Sequence, residues 1–226
     1  MPDRGLLTFS AVAFVGFVAI LVTVALSGGV DSFDTAMASR VELVRGSAMT
    51  ALARAVTSLG SFPAVVTVAV AAVVGLWIQT RVLWSSAILA SSVAATASLV
   101  TLLKVAMGRA RPDVAALLGS RATDFSFPSG QTTNGSLVYL LAALLLTARL
   151  RRGLWRRIAI AVAVVLALLI GLSRIYLGYH WATDVLGGWL LAAGVTAVSY
   201  FTTRQLGLQD AVDRAVGPEL GRRANV

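Results

Sequence analysis

The chain has 226 residues, 58% of them hydrophobic and 13% charged, with a formal net charge of +9 and no cysteine. A soluble domain carries about 25% charged residues, so this composition excludes an ordinary soluble protein and points to one embedded in a membrane. Without cysteine there is no disulfide framework, thiolate metal site or thiol nucleophile. The positive charge has no soluble basic face or nucleic-acid module to serve, which excludes nucleic acid as a partner and leaves membrane lipids.

Stretches near the roughly 17 to 25 apolar residues that cross a bilayer occur at 6–27, 62–79, 83–104, 133–148, 157–173 and 183–202. They predict an all-α bundle of six transmembrane helices forming a single domain over 1–226. The first stretch follows Arg4 in the manner of a signal peptide. It is longer than a signal-peptide core, and VALSGGVDS is a weak cleavage site, so it is read as a retained helix. Residues 34–57 are too polar to span and mix apolar and charged positions at helical spacing, which predicts a helix along the interface, an ordinary connector. Beyond Gln205, mixed charges and Gly217-Pro218 predict a short interfacial helix with a frayed end.

Six spans put both termini on one side, with Arg4, Arg81, Arg149, Arg151, Arg152, Arg156, Arg157, Arg204, Arg214, Arg222 and Arg223. By the positive-inside rule that side is cytoplasmic, and the expected location is the plasma membrane. Residues 28–61, 105–132 and 174–182 then emerge together on the extracytoplasmic face.

Three pieces on that face carry chemistry. Lys104 and Arg111-Pro112 end the third span, Ser129-Gly130 precede the fourth, and Arg174, His180 and Asp184 lie between the fifth and sixth. One such cation is commonly a headgroup anchor, and one Pro-Ser-Gly is commonly a turn. Together they suit phosphoryl transfer, whose transition state spreads negative charge over three oxygens and is stabilised by fixed cations and N–H donors. Lys104, Arg111 and Arg174 supply charge. Ser129 and Gly130 supply a hydroxyl and amides at a helix N-terminus. His180, the only histidine, can attack phosphorus if Asp184, four residues on and sharing a helical face with it, fixes its tautomer. One histidine and one nearby carboxylate fall short of a metal site.

These residues resemble the three-part signature of the type 2 phosphatidic acid phosphatase superfamily, integral-membrane relatives of the vanadium haloperoxidases. The resemblance covers 104–184. It implies a six-helix membrane fold and a lipid phosphatase that uses no metal or other cofactor. It also implies a phosphohistidine at His180 oriented by Asp184, with phosphate held by Lys104, Arg111, Ser129, Gly130 and Arg174 at the outer leaflet. One position departs. Where the second piece of the family continues with its general-acid histidine, this chain has Gln131, which cannot give up a proton at neutral pH. Turnover is therefore expected to be impaired, most for substrates whose leaving group needs a proton. The expected substrate is a polyprenyl diphosphate such as undecaprenyl diphosphate. Phosphatidylglycerol phosphate, phosphatidic acid and a polyprenyl-sugar phosphate are the alternatives within the family. Outside it stand a non-catalytic lipid-phosphate binder, a transporter and a structural membrane protein.

Overall fold

Eight α-helices account for most of the described residues: α1 (Asp3–Leu26), α2 (Ser32–Leu43), α3 (Ser47–Leu59), α4 (Phe62–Thr80), α5 (Leu83–Met107), α6 (Gly130–Leu146), α7 (Gly153–Tyr176) and α8 (Ala182–Arg223). The computed structural model describes residues 3–27, 32–120, 122–148 and 153–223, with the backbone alone at 3, 114 and 208–223. The chain is a multi-pass membrane protein. Five of the helices, α1, α4, α5, α7 and the part of α8 up to Gly207, are long and apolar enough to cross a bilayer. Their outward positions, among them Val12, Val15, Leu102, Val162 and Leu172, are exposed aliphatic side chains, which suit hydrocarbon rather than water.

The sixth predicted span is α6, with 17 residues, or about 26 Å at 1.5 Å per residue. It packs against α4, α5, α7 and α8. Enclosure on most sides explains how it carries Thr132, Thr133 and Ser136 as buried residues near its start. Below them Leu137, Leu141 and Leu145 join Leu76 of α4, Leu89 of α5 and Ala192 of α8 in one apolar cluster. A second cluster of Phe17, Val100, Phe127 and Leu191 ties α1 to α5, α8 and the segment before α6. The α1 and α8 backbones approach closely enough for the Ser10 hydroxyl to donate to the Gly194 carbonyl at 3.1 Å.

Two predicted elements differ in detail. The polar connector at 34–57 is two helices, α2 and α3, interrupted at residues 44–46. The interruption follows from side-chain contacts that draw the backbone onto the end of α7. The Arg45 Nη2 donates to the Tyr176 carbonyl at 3.1 Å, and the Gly46 amide donates to the Tyr176 hydroxyl at 3.0 Å. The tail is not a separate helix: α8 continues unbroken to Arg223. Arg149, Arg151 and Arg152 of the predicted basic cluster lie outside the described residues. Arg4, Arg81, Arg156 and Arg157 fall at the ends of helices away from the 108–129 and 177–181 connections, and Arg204 lies near Gly207, where the apolar part of α8 stops.

The α7–α8 crossing depends on Gly171. A Cβ there would lie 2.4 Å from Cζ2 of Trp189, whose indole N–H is held by the Ala167 carbonyl at 2.9 Å. Overpacking of this kind costs about 1–3 kcal/mol. Gly171→Val should therefore lower the melting temperature of the purified protein in detergent, whereas Leu172→Val, at a half-exposed neighbour, should leave it nearly unchanged.

Candidate active site

The site assembles from two chain connections at one end of the bundle, α5–α6 and α7–α8. Helix α5 ends on Gly108 in the left-handed region (φ 56°), whose amide donates to the Lys104 carbonyl, so Lys104 sits in the last full turn. The chain returns from residue 109 to Ser129, and the Ser126 amide donates to the Arg109 carbonyl at 2.9 Å. Between α7 and α8, Gly178 adopts φ 76°. A Cβ there would lie 2.5 Å from the Ala116 carbonyl oxygen, so glycine permits both the turn and the contact. The amides of Tyr179 and His180 both donate to the Arg174 carbonyl, which folds His180 back beneath the end of α7.

His180 is therefore not on a helix with Asp184, as the four-residue spacing suggests. It precedes α8, and Asp184 lies in the first turn, where its Oδ2 accepts the Trp181 amide at 2.9 Å. The same oxygen faces His180 Nδ1 at 3.3 Å and accepts the Ser126 hydroxyl. Arg109 Nη1 donates to Asp184 Oδ1 at 2.5 Å. With a carboxylate at Nδ1 and the guanidinium Nη1 of Arg111 3.1 Å from Nε2, the arrangement favours a proton on Nδ1 and a lone pair on Nε2.

Arg111 joins the cations to this pair. Its Nη1 donates to the Tyr179 carbonyl at 2.6 Å, and its Nη2 meets Asp124 Oδ1 at 2.6 Å. Lys104 Nζ lies 2.9 Å from the other oxygen, Oδ2 of Asp124, and donates to the Phe125 carbonyl. A cavity of about 350 Å³ opens beside Arg111, Asp124 and Tyr179. Lys104, Arg111, His180 and Asp184 thus form one connected group.

The remaining predicted residues sit around it. The Arg174 guanidinium lies 3.8 Å from the centroid of the Tyr179 ring and donates through Nη1 to Thr57 Oγ1 at 3.1 Å. Its Nε is buried without a partner among the described residues. The Thr57 hydroxyl in turn donates to Gln131 Oε1 at 3.1 Å, so Gln131 is linked to Arg174 rather than to His180. Ser129 caps α6 and is buried, with its hydroxyl 2.8 Å from that of Thr132 and its amide donating to the Asp184 carbonyl at 3.1 Å. Gly130 runs beside the Lys104 stem, where an added Cβ would lie 3.9 Å from Cε. Among the described residues no group of three or more histidine, cysteine, aspartate or glutamate side chains is placed to hold a metal ion.

Sequence reasoning missed Asp34, Thr57, Arg109, Asp124 and Ser126. Arg109 had a faint signal, as a second arginine in GRARP. Asp34 and Thr57 had none, because their roles arise only when α2 and α3 fold over the site.

The PAP2 superfamily profile matches residues 85–207, which include every predicted site residue. A curated relative, phosphatidylglycerophosphatase B of Bacillus subtilis (strain 168), is 31% identical over 176 residues, covering 77% of this chain and 85% of that protein. This chain belongs to the PAP2 superfamily. An undecaprenyl-diphosphatase of Sulfolobus acidocaldarius is 32% identical over 83 residues, 37% of this chain and 36% of that one. The crystal structure of a transmembrane PAP2-type phosphatidylglycerolphosphate phosphatase from Bacillus subtilis superimposes with a TM-score of 0.78. It is 24% identical and the match covers 87% of this chain and 96% of that one, so the PAP2 membrane fold is shared.

Two ionisable groups in the connections of this PAP2 site are displaced from their ordinary values. Burial, aided by the positive charge of Arg111 and Arg174, lowers His180 from 6.5 to about 4 against the opposing pull of Asp184. For Asp124, burial acts upward, but hydrogen bonds and charge from Lys104 and Arg111 outweigh it and hold the carboxyl at about 2 instead of 3.8. The unfolded chain binds a proton at histidine before the folded one does, so folding stability should fall as pH drops from 6.5 toward 4. The Asp124 contribution is complete above 3.8 and is lost only as pH falls toward 2. Melting temperature measured against pH should therefore decline less between 6.5 and 4 in His180→Asn than in the unsubstituted protein.

Proposed function

We propose that the protein is a lipid phosphatase that hydrolyses a polyprenyl diphosphate to the monophosphate and inorganic phosphate through a phosphohistidine at His180. The observation that carries this reading is the opposed engagement of the two imidazole nitrogens, with Nδ1 on Asp184 and Nε2 turned to Arg111 within the cation group. The Nε2 lone pair forms the P–N bond as the bridging P–O bond breaks, and the lipid monophosphate leaves with that bonding pair. The Nδ1 proton stays toward Asp184, which stabilises the cationic phosphoimidazole. Water then attacks phosphorus, the P–N bond breaks with its pair returning to Nε2, and the proton lost by water passes to bulk solvent. No metal or other cofactor enters these steps.

Lys104 and Arg111 each take one oxygen of Asp124, the same pairing that two phosphoryl oxygens would receive, so substrate exchanges with that carboxylate. In this reading Arg174, with its unpartnered Nε, and the Ser129 and Gly130 end of α6 complete the phosphate cradle. Outward placement is supported by Arg4, Arg81, Arg156 and Arg157 at the opposite ends of their helices and by Arg204 near the end of the apolar part of α8.

The choice of a diphosphate rests on the leaving group. Gln131, at the position where the family has its general acid, has no proton to transfer. An alkoxide leaving group needs a proton, whereas a phosphate with a second pKa of about 6 departs without one. Phosphatidylglycerol phosphate is a second reading, favoured by the name and 31% identity of the Bacillus subtilis relative.

Phosphate release in detergent with chelator present tests both. The unsubstituted protein should turn over a polyprenyl diphosphate well above phosphatidylglycerol phosphate or phosphatidic acid, and His180→Ala should abolish release. Supplying an acid with Gln131→His should raise monophosphate turnover toward the roughly 100-fold to 10,000-fold that such catalysis contributes, with a smaller gain on the diphosphate. Equal gains on both would overturn the leaving-group argument.

A further inference from the structure

The base of α2 lies outside the residues matched to the PAP2 family, yet it reaches the core of the site. Arg109 is buried between two carboxylates, with Nη2 2.5 Å from Asp34 Oδ2 and Nη1 2.5 Å from Asp184 Oδ1, and both carboxylates are fully buried. Thr183 closes the group. Its amide donates to Asp34 Oδ1 at 2.9 Å, its hydroxyl donates to Asp34 Oδ2 at 2.6 Å, and Arg109 Nη1 donates to that hydroxyl at 2.7 Å. Among the described residues, Arg109 thus bridges two carboxylates.

We propose that Asp34 is a positioning residue for the His180–Asp184 pair, sharing Arg109 so that Asp184 keeps the negative charge that a phosphorylated His180 needs. This rests on the phosphohistidine reading above. Arg109 with Asp184 alone is neutral, and a neutral pair offers a developing imidazolium only a dipole. Among the described side chains, Arg109, Asp34 and Asp184 sum to one negative charge, and the part of that group nearest His180 is the Asp184 oxygen facing Nδ1. In a low-dielectric interior an unbalanced anion is costly unless a cation answers it. The cation formed at His180 is that answer, so the group stabilises the intermediate more than the resting imidazole.

The other charges around His180 do not replace it. Arg111 faces Nε2 and is itself held by Asp124, which Lys104 shares. Arg174 of α7 adds further positive charge. On the α2 side, Asp34, Glu42, Arg45 and His180 line a cavity of about 20 Å³, and Arg45 lies 3.8 Å from Glu42. Cations dominate on the phosphate side, as phosphate binding requires, and Asp34 is the carboxylate that balances Arg109 behind the histidine. Arg45 and Thr50 anchor the same connector to Tyr176, which keeps α2 in place.

His180 is the only histidine, so imidazole ¹⁵N resonances of protein purified without a histidine tag report this residue alone. Asp34→Asn keeps the side-chain shape and removes the charge. It should lower the His180 protonation midpoint by about one pH unit, the scale of one charge across a partly screened interior. It should also reduce kcat roughly 10-fold with KM unchanged. The double variant Asp34→Asn with Arg109→Gln returns the charge sum to minus one, leaves no buried guanidinium unanswered, and should recover both quantities relative to the single variant. A purely structural role for Asp34 predicts the opposite, because the second substitution removes further hydrogen bonds. An unchanged midpoint and kcat in folded Asp34→Asn, or a double variant no better than the single one, would overturn the proposal. If the unsubstituted protein releases no phosphate, the phosphatase reading fails and the resonance titration still decides the charge linkage.

Discussion

The Asp184 carboxylate is the point on which the site converges. It receives Arg109 on one oxygen and the Ser126 hydroxyl, the Trp181 amide and His180 on the other. These donors come from the segment after α5, the segment before α6 and the turn between α7 and α8. A fully buried carboxylate in a membrane protein is tolerated only when its lone pairs are occupied and its charge is answered. That requirement joins the two ends of the α5–α6 connection to the turn between α7 and α8, distant in sequence. The orientation of His180 follows from it, since only one imidazole nitrogen can face Asp184 and the other is left toward Arg111.

The bundle makes this convergence possible by gathering the site's charged groups at one end. Helix α6 is enclosed by α4, α5, α7 and α8 and starts beside the Lys104 stem. The arginines at the far ends of α1, α4 and α7, and Arg204 near the end of the apolar part of α8, lie away from the site. The apolar surfaces of the outer helices face hydrocarbon, so their stability depends on interhelical packing at close contacts such as Gly171 against Trp189 and Gly194 against Phe14. The connector of α2 and α3 completes the site rather than bridging spans: Asp34 meets Arg109, Arg45 meets Tyr176, and Thr57 meets both Arg174 and Gln131.

Much of this was legible before the structure. The six apolar stretches correspond to α1 and α4–α8, because hydropathy over about twenty residues is a strong and local signal. Lys104, Arg111, His180 and Asp184 were legible because charged residues near lipid are rare and their spacing is local. The details set by tertiary contacts were not. The Ser129 hydroxyl pairs with that of Thr132 in the first turn of α6, which no spacing reveals. Asp124 was one acid among several in a loop, and only the fold brings it onto Lys104 and Arg111. The interruption at 44–46 depends on Tyr176, 130 residues from Gly46. Asp34 was read as part of an ordinary amphipathic segment, since nothing in its neighbourhood of the chain distinguishes a buried charge partner from a solvated one.

In the proposed reaction phosphorus bonds to His180 during turnover. The direct measurement is rapid alkaline quenching of the protein with a lipid labelled in its terminal phosphate, followed by mapping of the labelled peptide. An acid-labile, alkali-stable phosphate is expected on the peptide that carries His180, the one histidine in the chain. Release of phosphate with label on another residue, or with no label on that peptide at any quench time, would contradict it.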